Sequence, residues 1–205
     1  MRPSIAQARA PRRRRGGYTV VEVMMALAIL TLGASGVIAV QKAALLGNTN
    51  ARNLATANAI AKSWVERLRT DALVWNAPGN GDDIGETSWL KQSDPNNPNQ
   101  PWLTPNEVLA PALAGSPDSD VLGVDIFPAD PGPPASAFCT QLRFTRFPQN
   151  VLPAYRKMIR AEIRVFWERS GKPIDCAIAP NPVEGDVGRY GFVYVTTAVM
   201  QNTAP

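Results

Sequence analysis

An uncharged run of 18 residues, 23–40 (VMMALAILTLGASGVIAV), constrains this chain more than any other feature. As an α-helix the run is about 27 Å long, close to the hydrocarbon thickness of a bilayer. Four arginines at positions 12–15 precede it, and the sequence has no comparable basic cluster after it. The positive-inside rule therefore places the N-terminus in the cytoplasm and the chain after about residue 41 on the far side of the membrane.

The net charge of +4 comes entirely from the first 17 residues. This segment holds six arginines and no acidic residue, so without it the chain has 15 basic and 17 acidic residues and a net charge of −2. Nucleic-acid binding depends on basic side chains that neutralise phosphates. We therefore expect no nucleic-acid partner.

The composition also excludes several kinds of catalytic and metal-binding site. The chain contains no histidine, which excludes Ser-His-Asp and Cys-His catalysis and the zinc and iron sites that need imidazole. It has no nucleophile elbow and no G-K-[ST] phosphate loop. A carboxylate pair such as Glu162 and Glu168 is expected on a solvated strand face, where charges seldom carry chemistry. We predict no catalytic residue, no metal, no cofactor and no enzymatic activity.

The only two cysteines, Cys139 and Cys176, are too few for a multi-cysteine zinc or iron–sulfur framework. They form a disulfide if this part of the chain is outside the cytoplasm, and are two buried thiols if it is not. Because the topology places both on the far side of the membrane, the disulfide is favoured. Its expected contribution to stability is about 3–4 kcal/mol.

Three interpretations compete for the N-terminal segment. A secretory signal peptide has a basic region followed by an apolar one, but this apolar run is long and no strong A-x-A site follows it. A plain signal anchor explains the hydrophobicity and leaves Glu22 unexplained. The third interpretation has to account for the whole order RRRRGG-YTVVE-VMMALAIL.

In that order, Gly16, Gly17, Tyr18, Thr19 and Glu22 resemble the type IV prepilin (class III) signal. The resemblance implies that a prepilin peptidase cleaves between Gly17 and Tyr18 and then methylates the new N-terminal amine of Tyr18. It also implies a role in assembly for Glu22, whose carboxylate pairs with the N-terminal amine of a neighbouring subunit. The family most often has Phe at the position of Tyr18.

Glu22 also has a local interpretation. Thr19 and Glu22 have the spacing of a capping box, and an acid in the first turn suits the helix dipole. A carboxylate at the edge of a membrane span costs up to about 2.5–3.5 kcal/mol, so it usually has a partner. The cap and the assembly role can hold at different stages.

Gly33 and Gly36 lie within the apolar run and weaken a helix by about 1 kcal/mol each relative to Ala. Small residues mark close helix packing in membranes. The resemblance implies a second use, because this stretch of the family's helix can unwind when subunits enter a filament.

Apolar residues then recur at spacings of three and four, as on one face of a helix: Leu54, Ala57, Ala61, Trp64 and Leu68. This pattern predicts one long helix from about Thr19 to Leu73. The alternative is a spanning helix joined to a separate soluble helix, with a break near Gly47 and Asn48.

Residues 76–135 contain eleven prolines and six glycines, which nearly excludes helix and predicts a long loop. Trp89 and Trp102 are expected to pin this loop to the core, and the alternative is that they face a partner. Its acidic residues raise the question of calcium, but none has EF-hand spacing; they are Asp82, Asp83, Asp118, Asp120 and Asp125.

Four strands are predicted after the loop, at residues 138–147, 159–168, 174–178 and 190–200. The second shows a clear period of two: Ile159, Ala161, Ile163, Val165 and Trp167 alternate with a mostly polar face. The third follows from Ile174, Cys176 and Ile178, so Cys139 and Cys176 are expected on different strands.

These features predict an α+β fold with a roughly four-stranded antiparallel sheet packed on the helix. With the resemblance, this is a pilin fold with a long αβ-loop. The predicted segments are a cleaved basic leader (1–17), a transmembrane and assembly half of the helix (18–45), an amphipathic half (46–75), the αβ-loop (76–135) and the sheet (136–205).

The most specific resemblance is to minor pilins of the type IV pilus modification (PilV-like) family. It rests on the sequence EVMMA at 22–26, the stretch with Gly33 and Gly36, and IRAEIRVFWERSGKP at 159–173. It implies a structural minor pilin, at the tip of a type IV pilus or priming it, that supports assembly, adhesion or twitching motility. The alternatives are a minor pseudopilin of a type II secretion system and a membrane-anchored periplasmic binding protein.

The same resemblance implies the partners and the location. The expected partners are the prepilin peptidase, the major pilin and other minor pilins, the inner-membrane assembly platform and, before assembly, the inner membrane itself. The chain is expected to span the inner membrane once, with a cytoplasmic N-terminus and a periplasmic C-terminal domain, and then to join an extracellular pilus.

Overall fold

The computed structural model of the protein describes residues 16–75, 84–94, 97, 100–110, 113–127, 135–146, 158–178 and 180–201. Most of the predicted leader, residues 1–15, lies outside this described part. So do Asp82 and Asp83 of the predicted loop, and Phe147, the last residue of the first long strand as predicted.

The first element is α1, Val20–Trp75, a helix of 56 residues. Gly47 and Asn48 both lie within it, so the alternative of a helix break at these residues is wrong. Contacts between residues divide the chain into two units, Met1–Gly47 and Asn48–Pro205, which are described separately. We call residues 20–47 the apolar half of α1.

The second unit contains one antiparallel sheet in the order β1-β2-β3-β4. The strands are β1 (Asp118–Ser119), β2 (Phe138–Arg146), β3 (Met158–Glu168) and β4 (Tyr190–Met200), accompanied by a 3₁₀ turn at Leu90–Gln92 and a short helix α2, Pro180–Gly185. The α+β architecture and its four-stranded antiparallel sheet are confirmed. The strand predicted from Ile174, Cys176 and Ile178 is wrong, because the fourth strand is β1, within the predicted loop.

The core lies between the second half of α1 and one face of the sheet. The predicted helix stripe is buried at Ala57, Ala61, Trp64 and Leu68, whereas Leu54 is 38% exposed. The alternating residues of β3 meet it, and all five are buried: Ile159, Ala161, Ile163, Val165 and Trp167. Each large apolar side chain buried in this way contributes about 1.5–3 kcal/mol to the free energy of unfolding. Contact between the apolar stripe of α1 and the alternating apolar residues of β3 therefore holds helix and sheet together.

The other face of β3 is only partly polar and solvated. Arg160 is exposed, but Phe166 is fully buried in a second apolar cluster on this face. The chain that follows β3 supplies much of that cluster, through Ile174, Cys176 and Val183. The alternating pattern at 174–178 therefore reflects burial against the sheet, and not a ladder of strand hydrogen bonds.

The expectation that Glu162 and Glu168 sit on a solvated face is wrong for both. The Glu162 side chain is 13% exposed and forms ion pairs with Arg143 and Arg160. The Glu168 side chain is 10% exposed and pairs with Arg189. A hydrogen bond from the Ser170 hydroxyl, together with Arg189, holds the pKa of Glu168 below its ordinary value. Both carboxylates are thus held by neighbouring side chains of their own unit.

The prediction that the loop tryptophans pin the loop to the core is confirmed for Trp89. Trp102 is buried outside this core, beside Arg143, Arg164 and Tyr194. Trp89 is fully buried and meets Trp64 edge to face, with ring centroids 5.3 Å apart. The Asp71 carboxylate, fully buried on α1, accepts backbone N–H bonds from Ser88, Trp89 and Leu90 at 2.6–3.0 Å. A buried carboxylate is tolerated when its oxygens are satisfied in this way, so Asp71 ties the described start of the loop to the helix.

Gly191 of β4 provides a test of this packing. A Cβ atom at this position would lie 2.4 Å from Cζ2 of Trp167, a rigid and buried ring. We expect Gly191→Ala to lower the free energy of unfolding by about 1–3 kcal/mol, measured by denaturant unfolding of the purified chain in detergent. Gly188→Ala is the matched control, since its Cβ would meet its nearest neighbour at 3.5 Å. Equal stability of the two variants would contradict the close packing of the Trp167 ring against Gly191 of β4.

Candidate processing and assembly site

The residues before α1 form the first part of the candidate site. Gly16, Gly17, Tyr18 and Thr19 precede the helix, which begins at Val20. The Thr19 hydroxyl oxygen accepts a hydrogen bond from the Glu22 backbone N–H at 3.3 Å, and the Thr19 carbonyl accepts one from Val23 at 3.2 Å. Thr19 therefore caps the helix as its local sequence predicts.

The junction between Gly17 and Tyr18 is open to solvent. Tyr18 is 83% exposed, and a Cβ atom built on Gly16 or Gly17 would meet nothing within 4 Å. Packing against the described residues therefore does not require glycine at either position. Two glycines do disfavour helix here, which keeps the peptide bond before Tyr18 outside the helical ladder and accessible to a peptidase.

Glu22 lies in the first turn of α1, four positions after Tyr18. It is exposed, and it is the only charged residue between Tyr18 and Gln41. An acid in this turn interacts favourably with the helix dipole. Gly17, Tyr18 and Glu22 thus lie together at the start of one helix, although their roles in cleavage, methylation and assembly remain predictions.

The apolar half of α1 is exposed along its whole length, including Leu27, Leu30 and Val40, which are 54–70% exposed. Two hydroxyls are satisfied within the helix, because Thr31 donates to the Ala28 carbonyl and Ser35 to the Leu32 carbonyl, each at 2.8 Å. Among the described residues, α1 is the one helix long and apolar enough to cross a membrane, with a mean hydropathy of 2.3 over 18 residues. The surface that this half presents therefore suits lipid or another apolar helix.

Gly33 and Gly36 both lie within the continuous helix, and a Cβ atom at either position would meet nothing within 4 Å. No contact within the described chain therefore requires a small residue at either position. Close packing against these glycines needs a second helix from another molecule. Unwinding of this stretch during assembly stays a prediction.

Cys139 and Cys176 form a disulfide, with Cα atoms 5.2 Å apart. Cys139 lies on β2, but Cys176 lies in a turn after β3, so the expectation that both lie on strands is wrong. Cys139 pairs with Phe166 across the sheet, and both cysteines belong to the apolar cluster on the far face. The bond ties the segment between β3 and β4 to the sheet.

No metal site is supported by the acidic residues that the structure describes. Asp118, Cys139 and Cys176 place potential ligand atoms within 4.8 Å of one another, but the two sulfurs are bonded to each other and supply no thiolate. The Asp118 carboxylate accepts a hydrogen bond from the Ser136 hydroxyl, and Asp120 accepts two from backbone N–H groups. Asp125 pairs with Arg67. Protein donors therefore hold the described carboxylates considered for calcium.

Sequence reasoning missed the contact between Asp125 and Arg67, which joins the loop to α1. The Arg67 guanidinium donates two hydrogen bonds to the Asp125 carboxylate and stacks 5.0 Å from the Trp64 ring centroid. Burial raises the pKa of Asp125 above its ordinary value, although Arg67 acts in the opposite direction. The sequence indicates only the turn that precedes Asp125, because the spacing of Asp120 and Gly123 is typical of a turn. It does not indicate that Arg67 is the partner.

Replacing both cysteines tests the disulfide. We expect the double variant Cys139→Ser/Cys176→Ser to lose about 3–4 kcal/mol of unfolding free energy, because the bond restricts the unfolded chain. Denaturant unfolding of the purified chain measures this loss. Treatment of the unmodified chain with reductant is the control and should lower its stability towards that of the double variant. A stability unchanged by both treatments would contradict a structural role for the bond.

Comparison with known proteins matches residues 12–38 to the family model for the prokaryotic N-terminal methylation motif. No curated protein and no solved structure matches the chain. The matched residues include the Gly17–Tyr18 junction, Glu22 and most of the exposed apolar run. The motif, the apolar helix and the helix-on-sheet fold together support a type IV prepilin-like protein, a pilin or pseudopilin anchored in the membrane by its N-terminal helix.

Proposed function

We propose that this chain is a structural minor pilin of the PilV-like kind, cleaved between Gly17 and Tyr18 and incorporated into a type IV pilus, at its tip or in its priming complex. One observation carries the proposal. An exposed helix half has a single charged side chain between Tyr18 and Gln41, and that side chain is Glu22, which lies within the matched methylation motif, four positions after Tyr18. The protein then acts by assembling, and not as an enzyme.

Charge explains why Glu22 and Tyr18 belong to one mechanism. Cleavage removes the arginines of the leader and changes the net charge of the chain from +4 to −2. It also creates an ammonium group at Tyr18, four positions before the carboxylate. In an apolar filament core, either charge alone is costly, and a carboxylate of one subunit beside the amine of the next neutralises both. Methylation of the amine leaves its charge in place.

The topology in this proposal follows from the same segment. The four arginines at 12–15 stay in the cytoplasm, residues 23–40 span the inner membrane, and the second unit lies in the periplasm. The disulfide between Cys139 and Cys176 supports this placement, since such bonds form and persist outside the cytoplasm. The proposed partners are the prepilin peptidase, the inner-membrane assembly platform, the major pilin and the other minor pilins.

A minor pseudopilin of a type II secretion system is the second candidate, because the methylation motif is common to pilins and pseudopilins. The pilus is favoured by the PilV-like sequence at 159–173 and by the long loop held on α1 by Asp71 and Arg67. Bulk at this position is easier to accommodate in a subunit present in few copies at a tip than in every turn of a fibre. A membrane-anchored binding protein is a third candidate, and it leaves Glu22 unexplained.

Substitution of Glu22 tests the proposal and distinguishes the role of this residue in the helix cap from its role in assembly. We expect the Glu22→Ala variant to be cleaved normally. Its amount in sheared filaments should be at least several-fold lower than that of the unmodified chain, measured by immunoblotting of membrane and filament fractions. Glu22→Gln keeps a side chain suited to the helix cap but removes the charge, so it should be equally impaired. Glu66→Ala, at an exposed acid of the second unit, is the matched control.

The result separates the alternatives. Normal incorporation of Glu22→Gln would show that the carboxylate is only a cap and would contradict the pairing. Assay of piliation and of type II secretion in the same strains selects the filament. Lost pili with intact secretion supports the pilus, and the reverse result contradicts it in favour of the pseudopilus.

A further inference from the structure

Strand β4 forms one edge of the sheet and pairs only with β3 among the described strands. We propose that β4 also pairs with β4 of a second copy of this chain, antiparallel, with Thr196 of both copies at the centre of the contact. The two four-stranded sheets then form one continuous sheet. This pairing goes beyond the proposed function and does not depend on it, because it uses only the second unit.

The outer backbone groups of β4 are open. At the turn end of the β3–β4 ladder, the Arg169 N–H donates to the Arg189 carbonyl at 2.8 Å. Every second residue bonds to the same neighbour in an antiparallel ladder, so the odd-numbered residues of β4, from Gly191 onward, bond to β3. The N–H and C=O groups of the even-numbered residues, from Phe192 to Met200, therefore point away from β3. No described residue forms a hydrogen bond with these outward groups.

Hydrogen bonds at the other side of the sheet give the same alternation. On β2, the Leu142 N–H donates to the Leu103 carbonyl and the Thr140 N–H to the Pro117 carbonyl, so the even-numbered residues of β2 bond away from β3. Its odd-numbered residues then bond to even-numbered residues of β3. The odd-numbered residues of β3 are left to bond to the odd-numbered residues of β4. Both sides of the sheet thus assign the same open groups to β4.

β4 also lacks the features that keep most edge strands from pairing. Protected edges are short or covered, or they carry charged side chains, proline or a bulge. Residues 190–200 contain no charged residue and no proline, and β4 pairs with β3 one to one over 11 residues. At the opposite edge, β1 has only two residues, and Ser119 is bridged to Asp125 on its outer side. Among the described strands, β4 is therefore the long edge that is open to pairing.

The spacing of the open groups determines the kind of partner. Five residues of β4 each present an outward N–H and C=O, and consecutive ones are two residues apart along an extended chain. A second extended chain with open groups at the same spacing satisfies them all. Among the described segments of this protein, β4 itself has such groups, so a second β4 is the complementary surface that the structure provides.

One register pairs all five open residues of both copies. It places Thr196 opposite Thr196 of the second copy, Tyr194 opposite Ala198, and Phe192 opposite Met200, and it is symmetric about a two-fold axis. No charged side chain meets another in this register, whereas Thr–Thr pairs and contacts between methionine sulfur and an aromatic ring are favourable. Tyr194 and Met200, which are 47% and 57% exposed in the single chain, gain neighbours.

Cysteine crosslinking tests the pairing and its register. Thr196→Cys is introduced into the full chain, whose own two cysteines are bonded to each other, and membranes that contain the variant are mildly oxidised. In the proposed register the two Cα atoms at this position are about 5.5 Å apart, within the range of a disulfide. Met200→Cys is the matched control on the same strand, because its two copies lie about 26 Å apart along the strands. We expect the Thr196→Cys dimer to form at least several-fold faster.

Equal rates of dimer formation for the two variants, or no dimer from either, would contradict the pairing. Benzoylphenylalanine at Ala198, an exposed position of β4, identifies what covers the edge in the same membranes. Mass spectrometry is expected to place the adduct in β4 of a second copy, in a band of twice the mass of the chain. An adduct in a different protein, or in another segment of the same chain, would show that the edge has a different partner and would overturn the proposal.

Thr196→Lys gives a second readout. The two-fold arrangement places the two new ammonium groups opposite each other, which disfavours pairing. Because Thr196 is exposed in the single chain, the unfolding transition should not change. Val187→Lys is the matched control, at a residue that is 59% exposed and lies outside β4. Analytical ultracentrifugation of the purified full chain in detergent should show a dissociation constant at least several-fold higher for Thr196→Lys.

Equal association of the Thr196→Lys and Val187→Lys variants would contradict the pairing. None of these measurements needs a filament. Absence of the chain from sheared filaments would therefore contradict the proposed function and leave the pairing of β4 in place. Incorporation into filaments without crosslinking at Thr196 would have the opposite meaning.

Discussion

The apolar half of α1 has no cover among the described residues of its own unit, and this exposure decides which surroundings the helix can have. Every described residue from Gly16 to Arg52 is exposed, including an 18-residue stretch without a charge. Such a surface is stable only in lipid or against other apolar helices. A chain of this kind is therefore either held in a membrane or packed in an assembly, and a prepilin-like protein needs both in succession. Glu22 is the one charged side chain between Tyr18 and Gln41 that either environment has to accommodate.

The second unit meets a different requirement, because it has to hold a long loop on a small sheet. It does so with buried polar groups that have partners. Asp71 binds three backbone N–H groups, and Arg67 binds Asp125. On the far face, the fully buried Arg164 pairs with Glu184 at 2.8 Å and stacks 4.6 Å from the ring of Trp102. With the disulfide, these contacts fix the surfaces that the unit can offer to other subunits.

Features with a strong local period were predictable from the sequence. Helix α1 was predicted from about Thr19 to Leu73 and runs from Val20 to Trp75, and the three long strands agree with prediction within about two residues. The N-terminal motif was recognised because its residues are contiguous and each has a local reason. The disulfide followed from the topology and the count of two cysteines.

The features that the sequence does not predict depend on contacts between residues that are far apart in the chain. β1 has only two residues and exists because Asp118 and Ser119 pair with Cys139 and Phe138. The alternation at 174–178 suggested a strand, but Ile174 and Cys176 pack against Phe166 instead. Glu162 and Glu168 are predicted to be solvated because two of their partners are distant in the chain: Arg143 lies on the neighbouring strand β2, and Arg189 lies in the turn before β4. Arg160, two residues before Glu162, is a local partner. No local pattern encodes the distant contacts.

In the proposed function, the mature subunit begins at Tyr18 and carries a methylated amine. Intact mass and N-terminal peptide analysis of the chain, recovered separately from membranes and from sheared filaments, tests it most directly. We expect one N-terminus in the filament fraction, Tyr18 with a single added methyl group. Recovery of a chain that still begins at Met1, or of one that begins after the apolar run, would contradict it.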